Sequence, residues 1–278
     1  MLAESDLNSF YEVHRVLIRE EGFAYLLPHP ALRNWVSNYT ISYPTACTMS
    51  DNYAIIPHGC ATLVFSCNGN TVYGNLFGPA TQTVCVGCDA NRYDALLIIE
   101  FQPAGFYAFS GMPQKELTDS IVPFASVNPA LNNSIVRQIE DTADLNTLIS
   151  AMDRLLLANL KAAVFKEEFS AASKAIVSSG GLISVKELSQ NLFYSERHLS
   201  RVFGEHLGVS IKAFSRLVRV NRAARLLQKP QYSITQTYLQ TGYYDMPHFI
   251  HDFKSICGVT PQEYRQNLSD FYSEIAKF

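Results

Sequence analysis

The chain contains a copy of part of itself. Residues 194–214 (YSERHLSRVFGEHLGVSIKAF) recur fifty positions later as residues 244–264 (YDMPHFIHDFKSICGVTPQEY). Across that shift Tyr194 falls on Tyr244, His198 on His248, Phe203 on Phe253, Gly208 on Gly258, Val209 on Val259 and Phe214 on Tyr264. Self-similarity at a fixed period means one supersecondary unit used twice. In each copy a capping residue, Ser195 or Asp245, precedes a helical run with an apolar face: Leu199, Val202 and Phe203, then Phe249, Ile250 and Phe253. Each run stops at a glycine suited to a left-handed cap, Gly208 or Gly258.

A second short helix is expected ahead of each copy. Residues 184–192 (SVKELSQNL) offer Ser184 as N-cap, Glu187 for a capping box, and Val185, Leu188 and Leu192 on one face. Residues 233–241 (SITQTYLQT) repeat the scheme with more β-branched threonine and end at Gly242. A short helix, a tight turn and a second helix make a helix-turn-helix. Two such units, at about 182–206 and 233–257, suit a reader of successive major-groove segments.

Three blocks then stand in one spacing: SxxxLSRVFxxxxGVS (195–210), FxxxxRVxRAARLL (214–227) and GYxDxxHFxxDFKxxCGVTPxEYR (242–265). Together they resemble the DNA-binding domain of the AraC/XylS family of bacterial transcription regulators, over about a third of the chain. The resemblance implies seven helices, double-stranded DNA as partner, RNA polymerase as a further one, regulation of transcription as an activator with repression left open, and neither enzyme activity nor a cofactor. It also implies a long helix over about 211–228 that ties the two units together. The apolar residues Phe214, Leu217, Val218, Ala223, Leu226 and Leu227 recur there at helical spacing. Arg216, Arg219, Arg222 and Arg225 recur every three residues, which fits a solvated face, phosphate contact, or bracing between the units.

Charge divides the chain in the same place. Residues 170–278 hold 13 Lys and Arg against 8 Asp and Glu, whereas residues 1–169 hold 9 against 17. A near-neutral whole therefore joins a basic reader to an acidic partner. Base readers are sought among side chains the helix core does not claim. In the first recognition helix these are Ser195, Glu196, Arg197, Ser200, Arg201, Gly204 and Glu205, with Arg197 and Arg201 one turn apart and suited to guanine. The second offers Met246, Pro247, His248, Ile250 or His251, and Lys254, chemically poorer and suited more to positioning on phosphate through Lys254, His248 and His251. For His198 and His248 a packing or capping role is the stronger expectation. Two positions depart from the family pattern: Tyr238 replaces a small alanine, and Asp252 places a negative charge where the helix approaches DNA.

The expected fold class is α+β in two domains, 1–165 and 166–278. Between about 24 and 101 short β-rich runs (53–56, 61–67, 71–77, 81–86, 95–101) alternate with turn residues, the pattern of a small barrel or sandwich. PHPALRNWVSNY (28–39), IIPHGCATLVF (55–65) and FQPAGFYAFSGMPQKELTD (101–119) resemble a cupin-like sensor domain, which implies control by a small molecule of unknown identity. An apolar pocket among the many Tyr and Phe residues, with His58, Glu100 or Gln102 orienting a ligand, is the expected form. Residues 128–164 read as helical, with Leu145, Leu148, Ile149, Met152, Leu155, Leu156 and Leu160 forming a stripe that serves as core or as a homodimer seam.

Two alternatives remain open at this level. One is a ligand-independent regulator whose first domain serves dimerisation or partner binding. The other is a cysteine- or metal-dependent enzyme or redox sensor fused to the reader, drawing on Cys85 and Cys88 with Cys47, Cys60 and Cys67 nearby. Against the latter, the strand runs between 53 and 101 offer only His58 as an imidazole, so no metal site is expected. No phosphate loop, GxSxG elbow or HExxH segment is present. The lack of a signal peptide and of a long apolar run leads to the expectation of a cytoplasmic protein without membrane contact.

Overall fold

The computed structural model describes residues 4–44, 49–142, 144–161 and 166–272. A short helix α1 (Asp6–Ser9) leads into β1 (Val16–Glu20), β2 (Phe23–Leu26) and β3 (Val36–Ser42), followed by β4 (Ala54–Ile55), β5 (Thr62–Asn68), β6 (Thr71–Phe77), β7 (Val84–Cys85) and β8 (Ala95–Phe101). Then come α2 (Tyr107–Ser110), β9 (Ile121–Pro123), α3 (Phe124–Val127), α4 (Pro129–Asp141) and α5 (Leu145–Asn159). Seven strands form one antiparallel sheet in the order β1-β2-β3-β8-β5-β6-β9.

This sheet is open, which corrects the expectation of a barrel. Its two edges, β1 and β9, do not pair with each other. β9 ends in Pro123, which has no N–H to donate, and the chain turns at once into α3. Helices cover the face that barrel closure would otherwise have protected. Leu131, Ile135 and Ile139 of α4 and Leu145, Leu148, Ile149, Met152 and Leu156 of α5 share one core with Tyr39, Leu63, Phe65, Ile99 and Phe101. The leucine stripe is therefore core, with Leu155 and Leu160 packed at its margin.

The expected single helix over 128–164 is two. α4 stops at Thr142, and Asp144 caps α5 by accepting the Thr147 N–H at 2.9 Å. Polar residues inside the run thus end one helix and start the next. The hairpin β5–β6 lies where Asn68-Gly69-Asn70 places it, whereas the expected strands over 53–56 and 81–86 shrink to β4 and β7.

Asp153 fastens α5 to the sheet. This buried carboxylate accepts from Arg15 Nη2 at 2.8 Å, the His29 N–H at 2.9 Å and the Tyr39 hydroxyl at 2.9 Å. Burial, with the Asp153 charge beside it, pushes the Tyr39 phenol well above its ordinary value.

The C-terminal part comprises α6 (Glu167–Ser178), α7 (Val185–Leu192), α8 (Glu196–His206), α9 (Ile211–Leu227), α10 (Ile234–Gln240), α11 (Met246–Cys257) and α12 (Pro261–Gln266), then β10 (Phe271–Tyr272). These are the seven helices anticipated, counted among the described residues. They enclose two cores. Phe169, Ile176, Leu188, Leu199, Val202 and Phe203 meet in the first. Phe249, Phe253, Ile256 and Tyr264 meet in the second. α9 serves both, giving Phe214 and Val218 to the first and Leu217, Val220, Ala223, Ala224 and Leu227 to the second.

The sheet half and the helical half are in contact along the length of the reader. Ala104 and Tyr107 enter the first core and Ile56 the second. Asn221 of α9 donates to the Pro57 carbonyl at 2.8 Å, and Thr83 donates through N and Oγ1 to the Ile256 carbonyl at 3.0 and 2.8 Å. β10 pairs in parallel with β4, making a small sheet in the order β10-β4-β7.

Removal of Asp153 leaves Arg15, 6% exposed, with Glu12 as its remaining ion-pair partner and takes the acceptor from the Tyr39 hydroxyl and the His29 N–H, so Asp153→Ala is expected to destabilise the sheet half by about 2–4 kcal/mol. Denaturant titration checks this, and a loss below about 1 kcal/mol contradicts the assignment of Asp153 as the fastening group.

Candidate nucleic-acid interface

The two reading units are capped as the repeat requires. Ser184 and Glu187 form a reciprocal capping box on α7, and Ser233 and Gln236 do the same on α10. Hydrogen bonds from Ser184 hold the Glu187 carboxyl below its ordinary range. Ser195 Oγ accepts the His198 N–H at 3.2 Å and Asp245 Oδ1 the His248 N–H at 2.8 Å, so both recognition helices, α8 and α11, start at fixed points. α11 ends at Gly258 with φ +76°, a backbone state that favours glycine.

On α8, Ser195, Glu196, Arg197, Ser200 and Arg201 are exposed on the N-terminal half. Arg197 takes part in none of the ion pairs found among the described residues. Arg201 lies 3.3 Å from Glu205 but remains 59% exposed, leaving its guanidinium within reach of an outside partner. Glu205 itself is not turned outward as the sequence suggested. It accepts from the Tyr107 hydroxyl at 3.0 Å and from Lys166 Nζ at 3.3 Å, on the side facing the sheet half. His198 stacks on Tyr194 at 5.0 Å and meets Glu168 at 3.1 Å, a packing role.

On α11, Pro247, His248, Ile250, His251 and Lys254 are exposed. Ile250, placed on the apolar face by its spacing and also an outward alternative to His251, lies outside the core, because Phe249 and Phe253 already fill the side facing α9. Met246 is half-buried against the second core, and His248 sits edge-on to Tyr243 at 5.3 Å. The exposed polar groups of the helix are His248, His251, Lys254 and Ser255.

Asp252 corrects the sequence reading most clearly. It is 4% exposed and points inward, where Arg216 Nη2 and Nε donate to Oδ1 at 2.7 and 3.0 Å and the Tyr243 hydroxyl donates to Oδ2 at 3.2 Å. No unbalanced negative charge faces outward from that position. Tyr238 does not intrude into the turn either. It lies half-buried at the core edge, 6.5 Å from the Phe249 ring, while Thr237 and Thr241 occupy the buried positions with their hydroxyls bonded to backbone carbonyls.

The arginine row resolves into different roles. Arg219 donates to the Gly181 carbonyl at 2.8 Å and lies 5.1 Å from the centroid of the Tyr243 ring, so it touches both units. Arg216 joins α9 to α11, and Arg222 stays exposed. The bracing use of Arg219 was visible in sequence only as a three-residue period beside an aromatic repeat.

A family model described as a helix-turn-helix domain matches residues 188–267, over the paired units just described. The C-terminal third is an AraC-type tandem helix-turn-helix domain. A second model, a domain of unknown function (DUF6597), matches residues 25–123, so the sheet half carries no cupin assignment. The Msm operon regulatory protein of Streptococcus mutans is 25% identical over 175 residues, 59% of this chain and 60% of that protein. An uncharacterized HTH-type transcriptional regulator of Staphylococcus aureus is 37% identical over 83 residues, 30% of this chain and 11% of that protein. The chain thus spans less than two thirds of the length of either relative. A solved transcriptional regulator of Chromobacterium violaceum, titled as containing an AraC-type DNA-binding domain, is 28% identical with a TM-score of 0.34, covering 36% of this chain and 89% of that one.

Of the cysteines, Cys60 and Cys67 are buried and Cys85 is exposed. Burial raises the Cys67 thiol to about 11, which favours its protonated form. Cys47 lies outside the described residues, and of Cys88 the backbone alone is described. His58 and Glu100 are buried, and His58 Nδ1 accepts the Cys60 N–H at 3.2 Å. No helix among the described residues is long and apolar enough to cross a membrane.

His206 closes α8 of the AraC-type domain against the sheet half. It is fully buried, stacked 4.1 Å from Tyr107 and 5.6 Å from Phe169. Burial lowers its pKa to about 4 from an ordinary value of 6.5. The unfolded chain therefore takes up the proton first, so stability is complete above pH 6.5 and falls as pH drops toward 4. His206→Phe keeps the stack and is expected to flatten that stability slope, read by denaturant titration at several pH values. An unchanged slope assigns the pH dependence to another group.

Proposed function

We propose that the protein is a sequence-specific DNA-binding regulator of transcription, with a reader in 166–278 and a controlling domain in 1–165. The observation that carries this reading is a pair of capped recognition helices on one rigid spine, each with its N-terminal half exposed. A recognition helix presents its N-terminal residues to base edges in the major groove. Arg197 and Arg201 supply guanine readers on α8, with Ser195, Glu196 and Ser200 beside them. His248, His251 and Lys254 on α11 position the protein on phosphate, with Met246 supporting the helix from beneath. The basic excess of the reader and the inward turn of Asp252 favour an anionic partner.

Further parts of the reading are a small-molecule effector acting on the first domain, RNA polymerase as the transcriptional partner, a homodimer, and residence in the cytoplasm beside the chromosome. The relatives named as regulators support the regulatory role that these parts presuppose.

Binding of alanine variants to a selected site and to random DNA tests the assignment. Arg197→Ala and Arg201→Ala are each expected to lose about 1–3 kcal/mol on the selected site and to relax preference at one base pair. Lys254→Ala is expected to weaken all sequences alike and to lower the salt slope by about one. Equal losses on selected and random DNA for the three variants overturn the division between readers and positioners.

A further inference from the structure

The joint between the sheet half and the helical half holds a cleft of about 410 Å³. That is within the size range of small-molecule sites. One wall contains Arg33 and Trp35, before β3, and Gln102, after β8; the other is α6, with Ser173, Lys174 and Val177. By contrast, the cavity between the sheet and α4 and α5, bordered by Ile41, Leu97, Ile139 and Leu148, is about 20 Å³. That is room for about one water.

Both walls lead directly into the first reading unit. Ser173, Lys174 and Val177 share a face of α6, while Phe169, Ala172 and Ile176 on the adjoining face are buried in the core that holds α8. On the other wall the Gln102 N–H donates to the Trp35 carbonyl at 2.8 Å. Two residues on, Ala104 takes a φ of +60° and enters the same core, and Tyr107 reaches Glu205 and His206 of α8. A molecule between the walls acts on both sides of the contact that seats α8.

The chemistry of the cleft is specific. Arg33 and Lys174 come from opposite walls, and both are exposed. Neither takes part in an ion pair found among the described residues, and Arg33 donates its Nε–H to the Pro28 carbonyl at 3.4 Å. Two cations lining one cleft repel each other and favour an anion between them. Trp35 and Val177 add apolar surface, and Gln102 and Ser173 add hydrogen-bonding groups.

We propose that this cleft is the effector site and that it takes a small organic anion with a flat apolar body. The carboxylate or phosphate lies between Arg33 and Lys174, and the apolar body lies against Trp35. The inference rests on the regulator reading for its consequence, a change in how α8 is seated, but not for the binding itself.

Trp35 is the sole tryptophan of the chain and lines this cleft, so a change in tryptophan emission originates at this residue. The full-length protein is titrated with benzoate, phenylacetate and phenyl phosphate, and with the neutral benzamide and phenylacetamide. A saturable change with at least one anion is expected, with its amide counterpart at least about tenfold weaker. Arg33→Gln and Lys174→Gln are each expected to weaken the anion by about tenfold. Melting temperatures of the free variants, both altered at exposed positions, verify folding. No saturable change with any anion, or equal response to acid and amide, overturns the proposal. DNA binding measured on the same samples separates the two readings: retained site binding without a Trp35 response sinks the cleft alone. Anion-selective binding without any site binding sinks the regulator reading alone.

Discussion

The carboxylate of Asp252 is buried between the spine helix and the second recognition helix, with Arg216 at 2.7 Å and the Tyr243 hydroxyl at 3.2 Å. Tyr243 in turn carries Arg219 over its ring, and Arg219 ends on the Gly181 carbonyl of the first unit. This chain of polar contacts runs from one reading unit to the other across α9. Apolar packing brings the units together and favours a small set of crossing angles. Directional bonds to a buried charge add to that constraint, because losing one partner leaves the other charged and desolvated. These contacts tie α9 to α11 and to the segment that leads into α7.

The sheet half is fastened to the reader at both units and along the spine, through Tyr107, Pro57 and Thr83. β10, from beyond the last helix, pairs with β4 of the sheet half. Separate contacts thus join the sheet half to α8 and to α11. An open sheet suits that arrangement, since helices rather than a second sheet cover one face and the turns at its ends are left to meet the reader.

Much of this was legible in the chain, and the limits have physical causes. The fifty-residue repeat located α8 and α11, and Ser184, Ser195, Ser233 and Asp245 marked the starts of their helices, because caps are local chemistry. The break between α4 and α5 was missed because each stretch carries apolar residues at helical spacing, which shows that both are helical but not that they are one helix. The inward turn of Asp252 was illegible, since a charge pairs with whatever lies beside it in space, and Arg216 is 36 residues away in sequence. Glu205 misled for the same reason: it sits on an outward helical position that Tyr107 happens to cover. Sheet closure was not readable at all. The period of a strand tells which face is buried, not whether its two edges meet.

The central claim is that two recognition helices meet DNA together. Hydroxyl-radical footprinting of the full-length protein on DNA flanking its own gene, with excess random DNA present, tests it most directly. The account predicts two protected patches on one face of the duplex, about one helical turn apart. A single patch, or uniform protection that random DNA abolishes, contradicts it.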